Sequence, residues 1–111
     1  MRYYNTKKET MEVKVGHGHS SFSLLGEEQG CMNGCCAGIS YYSETEYTPI
    51  AVHEDQEGFV VLSGTGWAKI GEEEFFLEKE TAFIVPKGMT HQMKSANQKE
   101  TLVLFWFHAQ S

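Results

Sequence analysis

Proline is scarce, basic residues are outnumbered and cysteine is confined to one short cluster; each shortage removes a class of explanation. Two prolines occur in 111 residues, and no repeat, low-complexity tract or linker-like stretch accompanies them, which leaves one folded domain. Nine Lys and Arg face fifteen Asp and Glu, a formal net charge of −6. Such a chain offers no clustered cations to the phosphates of nucleic acid and nothing to attract it to an anionic membrane. The longest uninterrupted apolar run, 102–107, is far too short to span a bilayer. Behind the charges of the amino terminus there is no apolar stretch, so no secretory signal is expected and a cytoplasmic protein is. Convincing 3.6-residue periodicity is missing from every window of helical length.

The three cysteines, Cys31, Cys35 and Cys36, are an odd number crowded into six positions. That is a poor disulfide framework and suits a reducing compartment. A soft metal would need further Cys or His partners that the neighbourhood lacks, so free thiols at a loop-to-strand junction are expected, with a redox or ligand role as the alternative.

What the chain does contain is a 41% apolar fraction, 13% aromatics and eleven glycines at short intervals. This pattern predicts many short strands joined by turns: 11–15, 20–25, 35–43, 49–53, 57–63, 66–71, 73–78, 81–85, 90–95 and 100–107. Gly64-Thr65-Gly66 is expected to be a hairpin turn and Ile70-Gly71-Glu72 a hairpin tip. The run Thr101 to Phe107 does not alternate, so both its faces should be covered, either by the core of a monomer or by a subunit contact. The fold class is therefore all-β, closed as a sandwich or small barrel.

Two segments carry the chemistry. His53 ends one strand, and Glu57 begins the next on the face shared with Phe59 and Val61. Pro86 and Gly88 shape a turn from which His91 opens another strand. Two imidazoles and a carboxylate at strand ends can converge on one small cation. His17 and His19 are expected in an exposed turn, with a replacement ligand as the alternative, and His108 is expected to be solvated after the last strand. Asp55 would reach the cation only if His53 began the pattern. Tyr41, Tyr42, Phe59, Phe83, Met93 and Trp106 are assigned mostly to the core by default, with a few lining the pocket mouth as the alternative.

The spacing resembles that of the cupin superfamily over roughly residues 35 to 107. The first cupin motif has a His-x-His pair, three or four residues, a Glu, six residues and a Gly; His53, Glu57 and Gly64 stand at the second His, the Glu and the Gly. The second motif ends Pro-x-Gly-x-x-His, matched by Pro86, Gly88 and His91. Two departures stand out. Ala51 occupies the place of the first histidine, and Glu80 that of the glycine opening the second motif, with Thr81 where Asp often follows. The resemblance implies a double-stranded β-helix, or jelly-roll barrel, spanning the chain as one domain, with amino-terminal strands in 1–34. It also implies a divalent ion (Fe, Mn, Ni or Zn) on His53, Glu57 and His91, and a homodimer. The implied function is metal chemistry of dioxygenase or isomerase type on a small polar metabolite. The alternative is a non-catalytic module holding a small ligand such as a sugar, without tightly bound metal.

Overall fold

In the computed structural model, which describes residues 2–16 and 18–110, nine strands fold into two facing sheets. The strands are β1 (Val13–Gly16), β2 (His19–Leu25), β3 (Cys36–Tyr42), β4 (Gln56–Ser63), β5 (Gly66–Ile70), β6 (Glu73–Leu77), β7 (Ala82–Val85), β8 (His91–Ser95) and β9 (Leu102–Ala109). Six form one sheet in the order β1-β2-β3-β9-β4-β7, and three form the other in the order β6-β5-β8. Every pairing is antiparallel. Among the described residues the only helical pieces are two single turns, at Lys7–Glu9 and Glu27–Gln29. No helix among the described residues is long and apolar enough to cross a membrane. The architecture is the expected jelly-roll barrel.

Alternation places the core. In β4, Phe59 and Val61 point inward and are almost fully buried, as are Leu102 and Leu104 in β9. They pack with Tyr42, Ala68, Leu77, Val85 and Met93, with Phe83 and Trp106 against this cluster. Tyr41 is the exception among the aromatics assigned to the core: it is half-buried, with the Lys7 ammonium 4.4 Å from its ring centre. Gly58 lies under the Phe107 ring, 2.3 Å from where a Cβ would stand, so a larger residue there would displace that ring.

Three expectations change. Residues 49–53 make no strand but an extended loop with one bridge, Ala51 to His91. Thr48 donates its N–H to the Met93 carbonyl at 3.1 Å and Ala51 to that of His91 at 3.2 Å, but Pro49 between them has no N–H to continue the ladder. Gly64-Thr65-Gly66 is no hairpin: it carries the chain from the six-stranded sheet into the three-stranded one. Gly64 has φ 81°, and a Cβ on it would sit 2.4 Å from the Thr101 carbonyl oxygen. Strand β9 is central, between β3 and β4, but covered on one face only. Its outward residues Val103 and Phe105 are half-buried, and Phe107 is 38% exposed. The predicted tip at Gly71 does form, with Ile70 paired to Glu73 and Gly71 at φ 58°.

Candidate metal centre

The site lies at one end of the barrel. Glu57 is the second residue of β4 and shares the inward face with Phe59. His91 opens β8; its N–H donates to the Ala51 carbonyl at 2.9 Å, so the Ala51 loop fixes its backbone. His53 precedes β4, and its carbonyl accepts the Gly88 N–H at 3.0 Å. Gly88 takes φ 78° in the turn begun by Pro86, whose carbonyl accepts the Met89 N–H at 3.1 Å. The two sequence segments are thus tied together by backbone hydrogen bonds before any side chain meets.

Their side chains do meet. His53 Nε2 lies 3.3 Å and His91 Nε2 3.6 Å from the same oxygen, Glu57 Oε1. One donor atom from each of the three residues lies within 4.8 Å of the others. The Glu57 and His91 side chains are 9% and 6% exposed, whereas His53 at 40% stands at the mouth. Burial pushes the Glu57 carboxyl up to about 7, against the opposing pull of His108. It pushes the His91 imidazole down to about 4, aided by the neighbouring His53, and lowers His53 as well.

Whether this set fits a cation is decided by what is left unpaired. Glu57 Oε1 and His91 Nδ1 are buried without a hydrogen-bond partner. A buried acceptor aimed between two imidazole nitrogens is costly when bare and is satisfied by a cation. Donors bound at about 2.1 Å stand roughly 3.0–3.4 Å apart around octahedral or tetrahedral ions, close to the observed separations. The residues fit.

Sequence reasoning missed His108. It belongs to β9 and is not solvated: its side chain is 16% exposed, with Nε2 3.2 Å from Glu57 Oε2. Its Nδ1 lies 3.0 and 3.1 Å from the two oxygens of Asp55, so Asp55 joins the site through this imidazole. Parity would have found it, since Leu102, Leu104, Trp106 and His108 share one face once the strand continues past Phe107. His19 is no exposed turn residue either; it starts β2 and stacks on the buried Tyr42 at 4.2 Å between ring centres, apart from the cluster. His17 lies outside the described residues. The cysteines are free; Cys36 pairs with His108 in the ladder, and burial and then Asp55 raise its thiol.

The cupin domain family model matches residues 40–108, and the chain belongs to that family. No curated protein matches the chain. Among solved structures, an RmlC-like cupin from Shewanella frigidimarina superposes with TM-score 0.80 at 12% identity, covering 100% of this chain and 93% of that one. The cupin domain of Schizosaccharomyces pombe Cnp3 gives TM-score 0.74 at 21% identity over 89% of this chain, which spans only 65% of that one. Salicylate 1,2-dioxygenase from Pseudoaminobacter salicylatoxidans, in adducts with gentisate, gives 0.74 at 20% identity, covering 86% of this chain and 26% of that one. At such identities the likeness is one of fold.

Proposed function

We propose that the protein is a metal-dependent cupin that holds a divalent ion on His53, Glu57 and His91 and acts on a small polar metabolite. The observation that carries this is Glu57 Oε1, a buried oxygen without a hydrogen-bond partner, flanked by two imidazole nitrogens. The mixed nitrogen and oxygen donors suit Fe, Mn, Ni or Zn. Two histidines and one carboxylate leave coordination positions open, and Ala51 adds no donor. When bound, the ion would polarise a substrate oxygen or bind dioxygen, as dioxygenase- or isomerase-type chemistry requires. The fold likeness to a dioxygenase is compatible with the oxidative version. His53, at the mouth, would stand closest to an arriving ligand.

Free cysteines support a cytoplasmic setting. The outward face of the large sheet, where Phe107 and Ile84 are 38% and 47% exposed, supports a homodimer burying this apolar surface. Sedimentation equilibrium tests the dimer.

The metal reading is tested by elemental analysis of protein purified without a histidine tag. About one ion per chain, lost in His91→Ala, supports it. A folded, active chain free of metal in both forms refutes it and leaves a binding module with a polar pocket.

A further inference from the structure

Ala51 leaves the site one imidazole short, and a third imidazole reaches it from a different strand. Register does this: Glu57 in β4 pairs with His108 in β9, so the two side chains leave adjacent positions on the same face. The ring centres of His91 and His108 stand 5.1 Å and 5.2 Å from that of His53. His53 and His91 flank Glu57 Oε1 at 3.3 and 3.6 Å, and His108 Nε2 flanks Oε2 at 3.2 Å. All three imidazoles thus approach one carboxylate, His53 and His91 at one oxygen and His108 at the other. His108 stands outside the trio whose donor atoms lie within 4.8 Å of one another, and would complete the set from the side of the far oxygen.

We infer that His108 is a fourth metal donor, standing in for the histidine that Ala51 lacks, and that Asp55 orients it. The inference rests on the metal reading above. Its second support is the far side of the ring, where Nδ1 meets both Asp55 oxygens at 3.0 and 3.1 Å. A carboxylate only accepts, so this contact places a ring proton on Nδ1. The Nε2 lone pair is then the one a cation would take, in place of the proton shared with Glu57 Oε2 at 3.2 Å in its absence. A carboxylate behind a histidine is the usual outer support of a metal-bound imidazole. The donor set becomes three histidines and Glu57, with one histidine drawn from the last strand instead of the first motif. Two positions of an octahedral ion remain for ligand.

The direct test needs no substitution. The nitrogen-15-labelled full chain, chelator-stripped, is titrated with Zn2+ while two-bond proton–nitrogen spectra follow all five imidazoles. The expected result is that Nε2 of His53, His91 and His108 all move to metal-bound shifts, while Nδ1 of His108 stays protonated. Movement of His53 and His91 with His108 unchanged would overturn the fourth donor and leave the three-residue site standing. No histidine moving, with no binding heat, would sink the metal reading and this inference together. Calorimetry adds a graded check: His108→Gln should weaken Zn2+ on the order of 100-fold and Asp55→Asn about tenfold. Equal affinities for Asp55→Asn and the unaltered chain, both folded by circular dichroism, would remove Asp55 from the site.

Discussion

Strip the ion with chelator, and Glu57 and His91 should impose opposite pH dependences on stability. Burial holds the Glu57 carboxyl up to about 7 from its ordinary 4.5, so the folded chain keeps a proton that the unfolded chain releases. Stability from this group is full below about pH 4.5 and is lost as pH rises through about 7. At about 1.4 kcal/mol per pH unit the whole effect is about 3 kcal/mol. His91 works in the other direction. Held down to about 4 from 6.5, it contributes stability above pH 6.5 that is lost as pH falls through 4, again about 3 kcal/mol. Across their shared window the slopes oppose each other, and the metal-free chain should show a nearly flat profile.

Glu57→Gln separates the two, since it keeps the shape but cannot ionise. Only the His91 slope then remains, with stability climbing from pH 4 to 6.5 and level above. At pH 8 the chelated variant should be up to about 3 kcal/mol more stable than the unaltered chain, a rise of about 10 °C in Tm. Adding metal should reverse the order. An ion at 100 times its Kd stabilises the unaltered chain by about 2.7 kcal/mol, and the variant gains little. Urea denaturation across pH 4 to 8.5, with and without metal, measures both. A chelated Glu57→Gln melting at or below the unaltered chain at pH 8 would refute the reasoning, because it would mean that the ionised carboxylate is not a buried liability.

Glycine and core positions give sharper structural tests. Gly66→Ala should cost more than about 2 kcal/mol by urea denaturation, because its Cβ would stand 2.2 Å from the backbone oxygen of Lys94, which cannot swing away. Glu80→Gly should stabilise by about 1 kcal/mol in a thermal melt, since Glu80 holds φ 71°, a region that penalises side chains. Leu104→Ala removes a fully buried core side chain and should cost about 2–5 kcal/mol by the same denaturation assay.

Those sites also show how far local pattern reaches. Alternation in β4 told correctly which way Glu57, Phe59 and Val61 point, because strand geometry is a local property. Pro86 and Gly88 signalled the turn before His91 for the same reason. Glu80, at the place of the motif's opening glycine, holds φ 71°, a region that strains a side chain. The failures have both local and long-range causes. Residues 49–53 looked like a strand on composition, but Pro49 breaks the ladder. Gly64-Thr65-Gly66 has the chemistry of a hairpin, and only the pairing of β4 with β7 and β9 shows that the chain changes sheets there. Sequence pattern misses His108 because it ends the last strand at Phe107, one residue short, and because the register partner Glu57 lies some fifty positions away.

That register would give the proposed ion a structural task besides its chemistry. Glu57 and His108 sit on the six-stranded sheet, whereas His91 belongs to the three-stranded one. A cation shared between them is a cross-link joining the two sheets at the end of the barrel where the Ala51 loop offers a single bridge. The opposite end is closed differently, by Leu77, Leu102 and Val61 packed without exposed area. Metal removal should therefore loosen the barrel unevenly. Amides at the start of β8 and in the Ala51 loop should exchange faster, while those of β5 should not change. Hydrogen exchange resolved by residue tests this, and uniform acceleration over both sheets would show that the ion stabilises the fold as a whole instead of fastening one end.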